Sequence, residues 1–515
     1  MKNNLLAAAR PAGVAALTLS LALFSGCKDF LEVAPQGQLS EDAIRADPAA
    51  AQKLVDGVYN VLYLGGFGAD VSGLQNVILT DIASDDADKG STPTDYADAG
   101  QIDNFTVTAA NSNINNVWNG HFQAIARANQ ALDKIPLSPA DATTKNRQIG
   151  EVRFLRGYFY FNLVRYFGGV PLLNGVPAAA DANNPALQTR ASVADTYTFL
   201  INDLQFAVDN LPEKGATTLG RITKGAAQAM LAKVYLYQKN YQKAYDLSQA
   251  VITGGKYQLY GTYADIWRTV GNNNSESIFE VQTGVNAACN NSAINLYSVS
   301  QGPRQGGRGG WSDLGFGFNT PTTDLANAYE MGDVRRAGTI IFINNTAPAG
   351  QRSAGTVLWD GFRIPSKDSV ENSRYSYKAY HSRTREPNCG NNDYLPKNIR
   401  VMRYAEVLLI NAEAAFQLGN TSAATTALTA IRTRAGLGAV APTLARIWQE
   451  HRVELAMEHD RFFDLVRQES VQPGRIVPIF AAQGKTFTKG KNEIFPIPQA
   501  QIDLSGGALS QNPGY

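Results

Sequence analysis

The stretch GAAQAMLAKVYLYQKNYQKAYDLSQAVI, residues 225–252, constrains what this chain can fold into more than any other. Ala227, Met230, Leu231, Val234 and Gln238 recur at helical spacing, and Lys239-Asn240 then breaks the run before Tyr241 and Ala244. The segment therefore predicts two antiparallel helices joined by a tight turn. A second stretch, VMRYAEVLLINAEAAFQLGNTSAATTALTAIRTRAG, sets Ala412 and Ala424 at the twelve-residue offset that separates Ala232 from Ala244. Two hairpins of one kind, far apart in a chain of 515 residues, point to one helical scaffold interrupted by an insertion.

The offsets of Leu231, Ala232, Tyr235 and Ala244 resemble those at which the tetratricopeptide repeat interlocks large and small residues, an ordinary bundle with alanine-rich contacts being the alternative. Helical periodicity covers about residues 41–63, 111–134, 146–167, 192–211, 223–252, 399–434 and 442–468. Between about 255 and 398 it gives way to short β-like runs, SIFEVQT and GTIIFI, among Gly, Asn and Pro, with a Gly-rich centre GPRQGGRGGWSDLGFGF at 302–318. The expected fold is mainly α: a tetratricopeptide-like helical-hairpin scaffold with a loop-rich, small-sheet insertion. Its parts are a helical 27–254, an irregular 255–398 and a helical 399–515.

Residues 1–26 read as an export signal. Lys2 and Arg10 precede the apolar run AGVAALTLSLALF, which is too short for a permanent span, and Ser25-Gly26 stand before Cys27. Small residues before a cysteine look like a lipobox that would leave Cys27 acylated as the first mature residue, although Phe24 stands where Leu is commonest. A plain secretory signal with an incidental cysteine is the other reading. Cleavage there removes two cations and no anion, turning a formal charge of +1 into −1, so acyl chains rather than electrostatics would hold the protein to a membrane. A near-neutral chain does not suit a nucleic-acid binder. Export also puts Cys289 (AACNNS) and Cys389 (EPNCGNND) in an oxidising compartment, where they either pair or stand as two unlinked thiols.

Catalytic constellations are mostly missing. None of His121, His381, His451 and His459 opens an H-E-x-x-H motif, and Ser312 in GWSDL lacks the second glycine of a nucleophile elbow. Gly484-Lys485-Thr486 looks like the end of a phosphate loop, but Ile479 stands where the first glycine belongs, and Gly306, Gly307, Gly309 and Gly310 read as loop. Asp81, Asp85, Asp86 and Asp88 could hold calcium, the only cofactor considered, though their spacing is not an EF-hand and a solvated acidic loop is the preferred reading. In ARIWQEHRVELAMEHDRFFDLVRQ, Trp448, Leu455 and Phe462 form a buried stripe. Arg446 with Glu450 and Glu458 with Arg461 read as helix-surface pairs. Glu454 and Glu458 could be a hydrolytic pair, but carboxylates among so many arginines more often make an ion-pair network.

Several blocks together resemble the SusD/RagB family, the surface glycan- and nutrient-binding lipoproteins of Bacteroidota. They are CKDFLEVAPQG; NNVWNGHFQAIARANQALDKI at 115–135; EVRFLRGYFYFNLVRYFGGVPLL at 151–173; RYAEVLLINAEAAFQLG; IRTRAGL; EHRVELAMEHDRFFDLVR; and NEIFPIPQAQID with the terminal QNPGY. The resemblance implies four tetratricopeptide-like units, a loop-rich binding surface and no catalysis. It also implies an outer-membrane lipid anchor facing the exterior, and a lid-like role over a SusC-like TonB-dependent transporter. Glycan binding would use aromatic faces on loops. The candidates are Tyr96, Tyr297, Trp311 and Trp359; Arg304 and Arg308 beside Trp311 would suit acidic sugars or a peptide carboxylate, whereas Trp118, Trp267 and Trp448 belong to helical core. A tetratricopeptide scaffold that organises envelope proteins without binding a nutrient is the alternative function.

Overall fold

The computed structural model describes residues 40–181, 184–283, 294, 296–304, 315–344, 355–367, 370–382, 384–387, 390 and 392–515. The signal segment with Cys27, the two cysteines of the insertion, Arg308 and Trp311 lie outside the described residues. Its long helices are α1 (Pro48–Asn60), α2 (Ser112–Lys134), α3 (Ala142–Phe167), α4 (Val193–Asn210), α5 (Lys224–Tyr237), α6 (Tyr241–Thr253), α7 (Tyr404–Gln417), α8 (Thr421–Arg434), α9 (Leu444–Leu455) and α10 (Arg461–Val471). The first eight fall into pairs, α1 with α2, α3 with α4, α5 with α6 and α7 with α8, and each pair packs on the next through α2–α3, α4–α5 and α6–α7. This is a short stack of helical hairpins, and α6–α7 closes across the whole insertion.

The hairpin turns explain why the two sequence stretches fold alike. Lys239 (φ 56°) and Gly419 (φ 76°) both take the left-handed conformation that ends a helix. The asparagine after each, Asn240 or Asn420, caps the following helix by accepting from the backbone N–H of Lys243 or Ala423 at 3.2 and 3.1 Å. Ala232, Ala244, Ala412 and Ala424 are fully buried, so side chains no larger than methyl let the paired helices approach. From Gln148 onward helix α3 has no exposed residue: Phe154, Phe159, Tyr160, Phe161, Tyr166 and Phe167 are buried along it, which marks it as the centre of the stack.

The insertion contributes strands to small two-stranded antiparallel sheets, two of which each take one strand from outside it. Strands β1 (Ala87–Gly90) and β3 (Phe318–Pro321) pair, as do β2 (Ser277–Val281) and β8 (Ile399–Arg403), β4 (Ile340–Phe342) and β7 (Arg374–Ser376), and β5 (Thr356–Val357) and β6 (Arg363–Ile364). The runs SIFEVQT and GTIIFI supply β2 and β4, as their composition predicts. A separate hydrophobic cluster around Tyr263, Trp267, Ile341 and Tyr375 includes residues of the β4–β7 and β5–β6 sheets.

Three expectations change. The 399–434 periodicity begins with strand β8, not helix. The 442–468 helix is two helices broken at 456–460, where Met457 and His459 adopt positive φ of 64° and 68°. A tertiary contact overrides propensity there: the His459 backbone N–H and Nδ1 reach the Asp81 carboxylate at 3.0 and 2.8 Å. Finally, TDIASDDADKG is not a solvated loop. Asp81, Asp85 and Asp86 are each 1% exposed, and only Asp88, on β1, faces outward.

Candidate functional site

Many charged side chains of this molecule are buried and paired. Arg461 grips Asp85 through Nε and Nη2 at 2.7 and 2.8 Å, and Arg452 Nε donates to Asp86 at 2.7 Å. Both oxygens of Asp85 and one of Asp86 are thus held by protein guanidiniums, and Asp81 by His459 and Asn319. Glu450 pairs with Arg335 and Arg432, while Glu458 pairs with Lys378 and Arg403, so neither makes the surface pair its helix spacing suggests. Glu454 is fully buried against Arg335, Arg403 and Arg434. Burial works against its ionisation, but these guanidiniums prevail and hold its carboxyl far below the usual range. A carboxylate so clamped has no room for substrate or water. This is the ion-pair network that the sequence favours over a hydrolytic pair.

Glu406, His451 and Asp460 converge closely enough to hold a cation. Lys233 Nζ already stands 2.7 Å from Glu406 and 3.0 Å from Asp460, and Asp464 lies 3.3 Å from His451 Nδ1. The cluster therefore has its own ammonium as counter-ion, and a metal would have to displace it.

The arrangement is different around Tyr96. Residues 63–72 form a loop over α2, pinned where Asp70 N–H donates to Asn116 O at 3.0 Å. The Asp70 backbone comes so close to α2 that a Cβ on Gly120 would lie 2.2 Å from its carbonyl oxygen, so only glycine fits there. The Asp70 carboxylate accepts from the N–H groups of Gly73, Gln75 and Asn76 at 2.9, 3.1 and 3.3 Å. Burial nevertheless pushes its pKa up to about 7. A second loop, 91–96, is tied by Lys89, whose ammonium donates to Thr92 O and Asp95 O at 2.7 Å each, and by Ser91 Oγ, which donates to Asp95 at 2.8 Å.

These two loops present an aromatic edge. Tyr96, at φ 48°, stands edge-on between Phe67, 5.7 Å away and 60% exposed, and Phe318 on β3, 5.8 Å away. Its hydroxyl donates to Asn113 Oδ1 at 2.5 Å on the first turn of α2. Beneath it, Gln75 Oε1 and Asn113 Nδ2 are buried without partners among the described residues. Arg304 forms an ion pair with Asp95, and Gly317 O accepts from Ser91 N at 2.7 Å. The described residues on both sides of 305–314 therefore meet the 91–96 loop. Such a rim offers an apolar edge, amide dipoles and a half-exposed ion pair, which suits the C–H faces and hydroxyls of a sugar.

The structure does not gather the other candidates at this rim. Tyr297 is 8% exposed: its hydroxyl meets His459 Nε2 at 2.8 Å and the two rings pack edge to face, so its ring offers no free face for a ligand. With Asp81 on His459 Nδ1, this chain ties the insertion to the helical frame. Trp359 is half-buried on the second core cluster, with the Arg268 guanidinium 4.0 Å over its ring. Trp118, Trp267 and Trp448 are buried, as helical context suggests. Sequence reasoning missed Phe67, Phe318, Gln75 and Asn113. The one signal for Phe67 was an aromatic flanked by glycines in LGGFGAD.

Comparison with known proteins gives a consistent answer. Residues 266–515 match the family described as the SusD family, and residues 29–236 match one described as starch-binding associating with outer membrane. A SusD-like protein of Bacteroides ovatus is 25% identical over 530 aligned residues, spanning 96% of this chain and 89% of its own. A SusD-like protein of Formosa agariphila is 26% identical, spanning 95% of this chain and 97% of its own. Among solved structures, a laminarin-binding SusD-like protein superposes with a TM-score of 0.74 at 29% identity, covering 90% of this chain and 99% of that one. Among the described residues, no helix is long and apolar enough to cross a membrane.

Proposed function

The chain belongs to the SusD family, and from that premise we propose that it is a non-catalytic binding protein that captures an oligosaccharide at the outer membrane and delivers it to a SusC-like TonB-dependent transporter. Acylation of Cys27 anchors it, with the body facing the exterior. The observation that carries the reading is the rim where exposed Phe67 meets half-buried Tyr96, backed by buried Phe318 and two unpartnered amide atoms, beside the ends that bracket the Gly-rich segment of the insertion. Laminarin is the first glycan to try, since the laminarin-binding relative covers nearly the whole chain.

Two experiments test this. Calorimetric titration with laminarin oligosaccharides, and with maltooligosaccharides as a second glucan, should give saturable binding to one of them. Extraction of native outer membranes in mild detergent, followed by pull-down on a C-terminal tag, should recover a TonB-dependent barrel in stoichiometric amount. No glycan binding, together with recovery of several unrelated envelope proteins, would replace this reading with an organising scaffold.

A further inference from the structure

Away from the Tyr96 rim, a cleft of about 410 Å³ opens where α9, α10 and residues 475–483 meet, lined by Trp448, Arg452, Arg461, Arg475, Ile479 and Gln483 among others. Its volume is that of a small-molecule site. Two of its arginines are already committed. Arg461 clamps Asp85, and Arg452 spans Asp86 and Asp324 at 2.7 and 2.5 Å. The third, Arg475, is half-buried and has no carboxylate within ion-pair distance of its side chain among the described residues. Its Nη2 reaches only Gln468 Oε1, at 3.4 Å, and its Nε has no acceptor.

The surroundings hold this cation in place without neutralising it. Glu469 fixes the turn before it, accepting from the backbone N–H groups of Gly474, Arg475 and Ile476 at 2.8, 2.7 and 3.0 Å, and gives its charge to Lys489 at 2.9 Å. The Arg475 guanidinium lies 4.6 Å over the Trp448 ring. The indole Nε1–H of Trp448, a residue 2% exposed, finds no acceptor, and neither does Gln483 Oε1 find a donor. Burial, and after it the nearby charge of Arg461, lower the pKa of Arg475 from the usual arginine value against the opposing charges of Asp464, Glu469 and Asp85, none of which forms an ion pair with it. A guanidinium in that position is stabilised by an oxyanion from outside, through forked charge-assisted hydrogen bonds.

We propose that this cleft is a second ligand site, for a sugar-sized organic anion whose carboxylate or sulfate group meets Arg475 while its body lies along Ile479 and Gln483. None of its lining residues belongs to the Tyr96 rim, so the site stands or falls separately from that reading.

The test is calorimetric titration of the full chain in mild detergent, at physiological salt, with D-glucuronate, D-glucose 6-sulfate, D-glucose and inorganic sulfate. At least one sugar anion should bind saturably and glucose should not; which one binds identifies the group as carboxylate or sulfate ester. Arg475→Ala should weaken that binding about tenfold or more, and Arg475→Lys should lose part of it because an ammonium cannot fork. Tyr96→Gly should leave it unchanged. The proposal is overturned if neither sugar anion saturates by about 10 mM. It is equally overturned if inorganic sulfate binds as well as the sugar anions, which marks an adventitious ion only. If Arg475→Ala melts early, Arg475→Lys and Arg475→Gln carry the test, and wild-type affinity in both rejects the site.

Discussion

Two polar regions of this molecule are built on opposite terms. In the seam between the insertion and the helical frame, Arg403 meets Glu276, Glu454 and Glu458, Arg434 meets Glu276 and Glu454, and Arg335 meets Asp333, Glu450 and Glu454. Charges there are buried, matched and closed to solvent. At the Tyr96 rim the charges are few, one aromatic ring stands in solvent, and two amide atoms lack partners. Dense charge pairing makes a joint, and sparse polar groups beside exposed aromatic surface make a place for a ligand.

The largest effect should come from breaking the seam. Arg403→Ala leaves Glu276, Glu454 and Glu458 facing one another with fewer cations, and removing one partner of a buried network costs about 3–5 kcal/mol. Thermal unfolding should move down by several degrees, while glycan affinity at the rim in the folded protein stays at the wild-type value. A variant that melts like wild type would show that the seam contributes no stability. A variant that folds but loses glycan would show that the two regions are coupled.

Asp70 lies under the rim and gives the comparison a pH dependence. Burial raises its folded pKa to about 7, against the three N–H donors that lower it, whereas an unfolded aspartate titrates near 3.8. The folded protein therefore keeps this proton longer than the unfolded chain. The contribution to stability is fully present below about pH 4 and is lost as pH rises towards 7. Asp70→Asn does not titrate, so the stability of wild type relative to this variant should fall between pH 5 and 7 by no more than about 1.4 kcal/mol per pH unit. Denaturant melts at several pH values measure it, and a flat difference would place the pKa of Asp70 near its ordinary value.

The seam and the rim also differ in how far the sequence reveals them. The helical hairpins are legible because Ala232 with Ala244 and Ala412 with Ala424 obey a local spacing that packing then rewards. The ion-pair preference for Glu454 and Glu458 is legible from the density of arginines, but their partners are not. Arg335, Lys378 and Arg403 come from the insertion and β8, and helix spacing points instead to neighbours such as Arg446 and Arg461. The break at 456–460 is hidden for the same reason, since Asp81 reaches across the fold to His459. Of the rim, only Tyr96 and Arg304 are found from sequence. Phe67, Phe318 and Asn113 come from a loop, a strand and a helix, and only the fold makes them neighbours.

A smaller effect separates the ring of Tyr96 from its backbone. A non-glycine residue at φ 48° costs roughly 1 kcal/mol, so Tyr96→Gly relieves strain while giving up edge contacts to Phe67 and Phe318. Stability should change by less than about 1 kcal/mol, whereas glycan affinity should fall about tenfold. Tyr96→Phe, which removes only the hydroxyl on Asn113, should lose less. Unchanged affinity in Tyr96→Gly would remove this residue from the binding surface.

The smallest and most selective change is Phe67→Ser. The ring is 60% exposed, and its loop is held through the backbone, where Asn116 Nδ2 donates to Phe67 O at 3.2 Å and Val71 N–H donates to Leu64 O at 3.1 Å. Removing the side chain leaves those bonds intact, so stability should stay within about 0.5 kcal/mol of wild type. Glycan affinity should still drop about threefold, because a stacking edge contributes roughly 0.5–1.5 kcal/mol. Met331, 99% exposed on the 329–334 segment, is the matched control, and Met331→Ser should alter neither quantity. If both serines behave alike, exposed apolar surface at the rim has no special role. If only Phe67→Ser weakens binding, the unsatisfied rim is the part of this molecule that meets the sugar.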